Sequence, residues 1–449
     1  MKQLLVLLAL LLSIGTKAQN VAINNDASIP DNSAMLDVKS NSKGILIPRM
    51  NTATVSAITS PAKGLLVLDT IKNQLMVNMG TPATPNWQTI VASSGWSLSG
   101  NSGIDSATNF IGTTDTKPFI IRVNNVRSGY VDTITNNTSF GFRALDSSTN
   151  GTWNTAIGFK SLTGNKTGEN NTGLGWGALR FNTNGSFNTA SGAISLYSNT
   201  TGSQNTAIGQ LAMYLNTTGG KNTAIGSDAL RFNTSGSSNV GIGYTALYFN
   251  TTGYSNIAVG TGALFNTGNR SNLVAVGDSA LFNNGNGATE TYHGIGNVAV
   301  GSKALYANST GFYNAATGAD ALISNTAGAY NAAFGTGALR TNTTGNANTS
   351  SGFNSMIGNS SGNGNSAYGA GALTSNSAGN SNSAAGTNSL LNNQSGNSNV
   401  AVGVAALYNT GNRSNLAAVG DSALYNNGVG AVNPYEATAN SAFGSKALY

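Results

Sequence analysis

His293 is the only histidine of the chain, and Glu290 and Tyr292 stand within three positions of it. An imidazole beside a carboxylate can take up and return a proton near neutral pH, which is the elementary equipment of acid/base catalysis. The chain supplies its own control on that reading, because residues 266–306 recur 143 positions later as 409–449. Both copies open on Asn-Thr-Gly-Asn-Arg-Ser-Asn-Leu and close on Gly-Ser-Lys-Ala-Leu-Tyr. In the second copy Glu436 replaces His293, Asn433 replaces Glu290, and Tyr435 keeps the ring of Tyr292. A catalytic imidazole is not expected to vanish from a duplicated unit. Tyr292, His293, Tyr435 and Glu436 are therefore read as contact residues on two surface loops, 283–297 and 426–440, and no catalytic residue is assigned.

Metal and nucleic-acid chemistry find even less to work with. Asp228, Asp278, Asp320 and Asp421 each lie one or two positions after a glycine, but singly, whereas calcium takes about six to eight oxygens, several of them carboxylate. The Gly-Gly-x-Gly-x-Asp pattern of calcium β-rolls is absent. Neither a metal nor a cofactor is expected. The formal charge is +6, from 21 basic and 15 acidic residues, yet charged residues make up only 8% of the chain and stand alone. Arg180, Arg231 and Arg340 share one repeat position in non-adjacent units, which does not make the clustered phosphate contacts that nucleic acid needs.

The elements that hold these residues are set by a 17-residue phrase, Asn-Thr-Ala-Ile-Gly-x-x-Ala-Leu-x-x-Asn-Thr-Thr-Gly-x-x, clearest at 205–221 and 222–238. Its anchor glycine recurs 18 times from Gly141 to Gly444, with two spacings of 24 among spacings of 17. Four residues after it stands Leu in sixteen copies and Met in two; one residue earlier stands Ala or Ser; four residues before it stands Asn, except at Leu273 and Leu416. A column restricted to Leu or Met is a buried column, so Leu179, Leu230, Leu247, Leu264, Leu305, Leu339, Leu373 and Leu407 are assigned to the core. A column restricted to Ala or Ser is a place of close approach.

No stretch between glycines in the regular units is long enough for a stable isolated helix, which needs about 12 to 15 residues. Gly, Asn and Thr are also poor helix interiors. Each unit is read as one coil of an all-β parallel solenoid, with a strand at Thr206 to Ile208, a second near Leu211 to Tyr214, a turn at 216–219, and glycines giving positive φ at the corners. The repeated Asn is expected to stack as a ladder along the rod. Eighteen coils at about 4.8 Å each make a rod of roughly 85 Å. One buried Leu per coil does not offset the entropy of ordering a coil's backbone. The residue before the anchor glycine is Ile or Val in many units (Ile157, Ile208, Ile225, Ile242, Val259, Val300, Val402), a second apolar column; with aromatics such as Phe181, Tyr214 and Phe282, it points to a homo-oligomer with the Ala/Ser columns in close contact.

The phrase Asn-Thr-Ala-Ile-Gly-x-x-Ala-Leu resembles the head repeat of trimeric autotransporter adhesins and the related repeats of trimeric tail-fibre-like proteins of Gram-negative bacteria. The resemblance covers about residues 137–449. It implies a left-handed β-roll shared among three chains, a homotrimer, and a surface fibre that attaches to cells, matrix or glycans. The Leu-Asp-Val and Gly-Ile-Leu-Ile-Pro-Arg-Met phrases at 36–38 and 44–50 resemble the N-terminal modules of secreted fibre-like proteins.

Four segments are expected. Residues 1–18 read as a signal peptide, with Lys2, the apolar run Leu4 to Leu12, and Thr16-Lys17-Ala18 at the cleavage site. That run is too short to span a bilayer, so the mature chain is expected to be exported to the cell surface or beyond, with no transmembrane segment. Residues 19–92 form an N-terminal β module, 93–136 a strand-rich connector and 137–449 the solenoid. There is no cysteine, hence no disulfide framework. A competing function is an ice- or carbohydrate-binding solenoid whose active face is the Thr rows at 200–201, 217–218, 251–252 and 343–344.

Overall fold

The computed structural model describes residues 20–90, 105, 107, 110–148, 150–430, 432–433 and 435–449. The expected leader at 1–18 lies outside them, as does the start of the expected connector. The chain divides into two compact units between Ile111 and Gly112.

In the first unit, β1 (Val21–Ile23) pairs in parallel with β2 (Leu36–Val38). A four-stranded sheet follows, in the order β3 (Arg49–Met50), β4 (Leu66–Asp69), β5 (Gln74–Asn78), β6 (Trp87–Thr89). A single turn of helix, α1 (Thr52–Ser56), starts where the Asn51 side chain accepts the Thr54 N–H at 2.8 Å. It lays Val55 on Val67 and Met76, with Met50, Ile58 and Trp87 around them. Burial pushes the Asp69 carboxyl up. The Thr52 hydroxyl and the N–H groups of Lys72 and Ile71 outweigh that and hold it below the usual carboxylate value.

The second unit opens on a hairpin of β7 (Phe119–Val123) and β8 (Val126–Asp132), turned at Asn124 and Asn125, both with positive φ. β8 runs antiparallel to β9 (Asn137–Phe140), and β9 pairs in parallel with β10 (Thr155–Ile157). The hairpin thereby covers the edge that the first coil would otherwise leave open to strand addition. From β10 each coil contributes one three-residue strand, ending with β25 (Ala417–Val419) and β26 (Ser441–Phe443). Every strand pairs in parallel with the equivalent residues of the next coil, as in Thr206 with Thr223 and Ile208 with Ile225. A ladder that climbs one strand per coil is a rod and does not close into a barrel; β26 pairs with β25 alone among the described residues.

The interior follows from the columns. Seventeen of the eighteen Leu/Met side chains are at most 2% exposed, including all eight assigned to the core, and Leu448 in the last coil is the exception. The Ala/Ser column is buried too, but inside the single chain. Ala229 lies against the preceding coil, where its carbonyl accepts the Met213 N–H at 3.0 Å. The close approach expected between chains is made by the chain's own neighbouring coils.

A second strand near Leu211 to Tyr214 does not form. Ala212 and Met213 are adjacent and both fully buried. In a strand successive side chains point to opposite faces, so at the wall of a rod, with its interior on one side only, an extended segment would turn one of the two outward. The segment is a turn instead, with Leu211 and Met213 in the left-handed region at φ 60° and 52°. All eighteen Leu/Met residues of this column share that conformation, between φ 47° and 54°. Left-handed backbone is costly for residues other than glycine. The tertiary packing of the stack imposes it.

The two glycine columns differ in cause. The anchor glycine does take positive φ, 131° at Gly226, and a Cβ there would meet the Gly243 carbonyl oxygen at 2.5 Å. The second glycine has ordinary φ and is demanded by close approach alone. At Gly219 a Cβ would sit 2.3 Å from the Gly236 oxygen and 2.5 Å from Asn216 Oδ1.

Two buried asparagine ladders run along the rod. In the first, Asn222 Oδ1 accepts both the backbone N–H and the side-chain N–H of Asn239 at 3.0 and 3.1 Å. Its own amide donates to Asn205 Oδ1 at 3.1 Å and to the Gly236 carbonyl at 2.8 Å. Four hydrogen bonds satisfy the amide completely. In the second, Asn233 donates to Asn216 Oδ1 at 2.7 Å and to the same Gly236 carbonyl at 3.0 Å.

Candidate contact site

The inside of a 17-residue coil is filled by its own Leu, Ala and Asn columns, so whatever the rod contacts it contacts with its outside or its inserted loops. Both loops grow out of an altered coil. Ahead of loop 283–297, Thr267 replaces the second-ladder Asn, Leu273 replaces the first-ladder Asn, and Arg270 replaces the second glycine; Thr410, Arg413 and Leu416 repeat this ahead of loop 426–440. A side chain at the glycine position collides with the next coil unless that coil is pushed out, and the seven extra residues of the 24-residue coil make that room.

Arg270, nine-tenths buried, donates to the loop carbonyls of Ala288 and Glu290, both at 3.4 Å. Asn284 draws the far side of the loop in by donating to Gly294 O at 2.7 Å. The second loop is seated alike: Asn427 donates to Ala437 O at 2.8 Å, and a Cβ on Gly428 would touch Arg413 Cγ as one on Gly285 would touch Arg270 Cγ.

Within the loops the exchange of His for Glu has a plain explanation. His293 N–H donates to Glu290 O at 3.3 Å, and Glu436 N–H donates to Asn433 O at 3.1 Å, so both residues end the same turn. His293 Nδ1 then accepts the Glu290 N–H at 3.4 Å, and Glu436 Oε2 accepts the Asn433 N–H at 3.2 Å. The position requires a hydrogen-bond acceptor three residues past a turn, and imidazole and carboxylate both supply one.

The first loop brings together more than the sequence reading named. The Tyr292 ring lies 4.8 Å from His293 and 5.3 Å from Phe312, and Phe312 lies 5.2 Å from Tyr330, which stacks on Tyr313 at 5.7 Å. Tyr292, Tyr313 and Tyr330 are about half exposed. These rings form a clustered patch on a mostly polar flank, where Trp153, Phe187 and Tyr254 are also exposed but have no such neighbours among the described residues. Tyr313 and Tyr330 both stand twelve residues after an anchor glycine, which is the column signal that could have placed them beside the loop. Tyr435 is 84% exposed and makes no ring contact among the described residues, so the two loops offer different surfaces.

Other candidates resolve into structure. Arg231 pairs with Asp228 at 2.9 Å and lies over the Phe232 ring, and Arg180 donates to the Tyr197 hydroxyl at 2.8 Å. The aromatics after the Leu column stack on each other along the rod, Phe265 on Phe282 at 4.8 Å with parallel rings, which covers part of their surface within the chain while Phe181 stays 46% exposed. Among the described residues no three His, Asp or Glu gather as a metal set, and no helix is long and apolar enough to cross a membrane. The first Thr of three of the four pairs turns its hydroxyl into the stack, Thr200 to Thr217 O at 2.9 Å, Thr217 to Thr234 O at 3.0 Å and Thr343 to Ser360 O at 2.9 Å. In those pairs that removes half of the lattice an ice-binding face would need.

Comparison with curated proteins and with solved structures gives no match, and the likeness to autotransporter head repeats gains no support there. Residues 22–105, under a fifth of the chain, are similar to a known family, matching the model of the phage tail-like trimerisation region.

Proposed function

We propose that the chain is the subunit of a homotrimeric, tail-fibre-like structural fibre, exported through its N-terminal leader, with a trimerisation region ahead of a rod that carries contact loops. One observation carries the reading. A trimerisation-type region at 22–105 precedes a rod whose inside is nearly uniform and whose outside varies from coil to coil. Uniform interior with variable exterior is what a spacer needs and gives a reaction no enclosed site. The described sheets and the solenoid make the chain all-β apart from one helical turn. Attachment to cells, matrix or glycans is assigned to the aromatic patch of Tyr292, Tyr313 and Tyr330 and to the 426–440 loop, because exposed aromatics on a polar flank are where binding energy concentrates.

Light scattering on the exported protein tests the assembly: a mass three times that of the chain is expected, and a monomer mass at all concentrations would overturn it. A glycan and matrix panel tests attachment. Any ligand found should lose affinity with Tyr313→Ala, and retention of full affinity by Tyr313→Ala combined with Tyr435→Ala would remove the loops from the account.

A further inference from the structure

The long parallel sheet has one face inside the rod and one outside. The middle residue of each strand points in, as Ala207, Ala224 and Ala258 do, fully buried. The first and third residues point out, as do the second and fourth, Thr138 and Phe140, of the four-residue β9. Across the eighteen strands from β9 to β26 that makes 36 outward positions, and not one is Asp, Glu, Lys, Arg, His, Asn or Gln. The same stretch of chain, 137–449, contains 19 charged residues, and every one lies on the other flanks or in the inserted loops. In four consecutive strands, from Val240–Ile242 to Val298–Val300, all eight outward residues are Val or Ile. Ile242, Ile257 and Val276 there are 36 to 41% exposed. A sheet face that bears neither charge nor side-chain amide, with an unbroken Val/Ile belt at its middle, is suited to burial against a partner.

We infer that this outward sheet face is where three copies of the chain pack along their solenoids. The inference rests on the trimer reading above and adds which face meets which. Three features favour a copy of the chain over other occupants. The strand N–H and C=O groups are already used between coils, so the face cannot take an added strand and can only take side chains against side chains. In the four-strand Val/Ile belt a glycan finds nothing to hydrogen-bond, although Ser and Thr, such as Thr206 and Thr223, fill other outward positions of the sheet. The size also fits: eighteen strands at about 4.8 Å by roughly 10 Å of strand length give on the order of 800 Å², what one partner contributes to a stable interface. A trimerisation-type region at 22–105 of the same chain is a further reason to take the occupant as another copy.

The chain contains no cysteine, so single-cysteine variants report cleanly on access. Ile242→Cys places a thiol on the sheet face, and Thr218→Cys places one on the polar flank, where Thr218 is exposed. Both are made in the full chain, their masses measured by light scattering, and their maleimide labelling rates compared in the assembled state. A trimer in which the Ile242→Cys thiol labels about tenfold or more slowly than the Thr218→Cys thiol is the expected result. A trimer in which both label at the same rate overturns the assignment of this face while leaving the trimer intact. A monomer in the unsubstituted chain overturns the trimer reading, and this inference with it. As a second arm, Ile242→Glu with Val276→Glu leaves the interior columns untouched; the pair is expected to keep the strand signal in circular dichroism and to lower the melting temperature of the assembly. An unchanged assembly would count against the face.

Discussion

Coil 222–238 and the stretch 266–297 share the anchor glycine and the Leu column, yet one repeats at 17 residues and the other swells to 24. The difference lies in the amides. In the regular coil Asn222 and Asn233 each bind the coil before, the coil after and the Gly236 carbonyl between them. A residue added anywhere in that loop would pull one amide out of line and orphan a buried donor. In the altered coil both ladders break together at Thr267 and Leu273, and Asn250 Oδ1 accepts instead from Asn256 at 3.2 Å, closing the ladder on itself. The coil after the break is free to differ. The apolar column therefore holds the rod together, while the amide ladders fix its period.

The strongest test of that division acts on the apolar column. Leu230→Asp buries a carboxylate with no partner, expected to cost more than about 4 kcal/mol locally and to unstack the adjoining coils, since each coil is stabilised chiefly by its neighbours. Ser237→Asp, at the position that Glu169 occupies in an earlier coil, should change stability by less than about 0.5 kcal/mol. Thermal melts followed by circular dichroism compare the two. Equal melting would mean that the Leu column is not what holds the stack.

Next in size is Asn222→Leu, which copies into a regular coil the residue found at Leu273. It leaves the Asn239 N–H without its acceptor and the Asn205 Oδ1 and Gly236 carbonyl short of donors, at about 1 to 3 kcal/mol for each buried group left unsatisfied. The loss should exceed what the extra apolar contact returns. Urea unfolding reads it; a neutral result would show that Leu fits either coil and that the ladder does not set the period.

Much of this architecture was legible in the sequence, because a solenoid writes its interior down one column at a time. Restriction to Leu or Met marked the dry file, and the recurrent Asn marked the ladder. The strand at Thr206–Ile208 fell where alternation put it. What the columns concealed was conformation. Leu211 to Tyr214 looks like a strand by composition, and only the demand that neighbouring Ala212 and Met213 both face inward rules it out. The Ala/Ser column signalled close approach truthfully but not whose backbone approached, and the answer, the chain's own next coil, removes that column from the argument for an oligomer. The outward strand face was legible in half: the Ile/Val column before the anchor glycine, as at Ile208 and Val259, showed its third residues, but not the first residues of the strands. Its residues vary in identity, and their shared property is an absence of charge that shows only after the strands are aligned.

The smallest effect separates the two duplicated loops from each other. If His293 and Glu436 serve only as acceptors for the N–H three residues back, His293→Glu should leave the 283–297 loop as it is. His293→Ala should loosen it by about 1 kcal/mol, the worth of one part-exposed hydrogen bond. The global melt is too blunt for this, because the loop adds nothing to the Leu file. Amide exchange at Glu290 reads it directly: protection kept with Glu and lost with Ala at position 293 is the expected pair. Protection lost in both variants would mean that the imidazole is wanted for its ring against Tyr292, 4.8 Å away. The first loop would then differ from the second in kind, belonging to the aromatic patch, while the second would remain a bare turn that lifts Tyr435 into solvent.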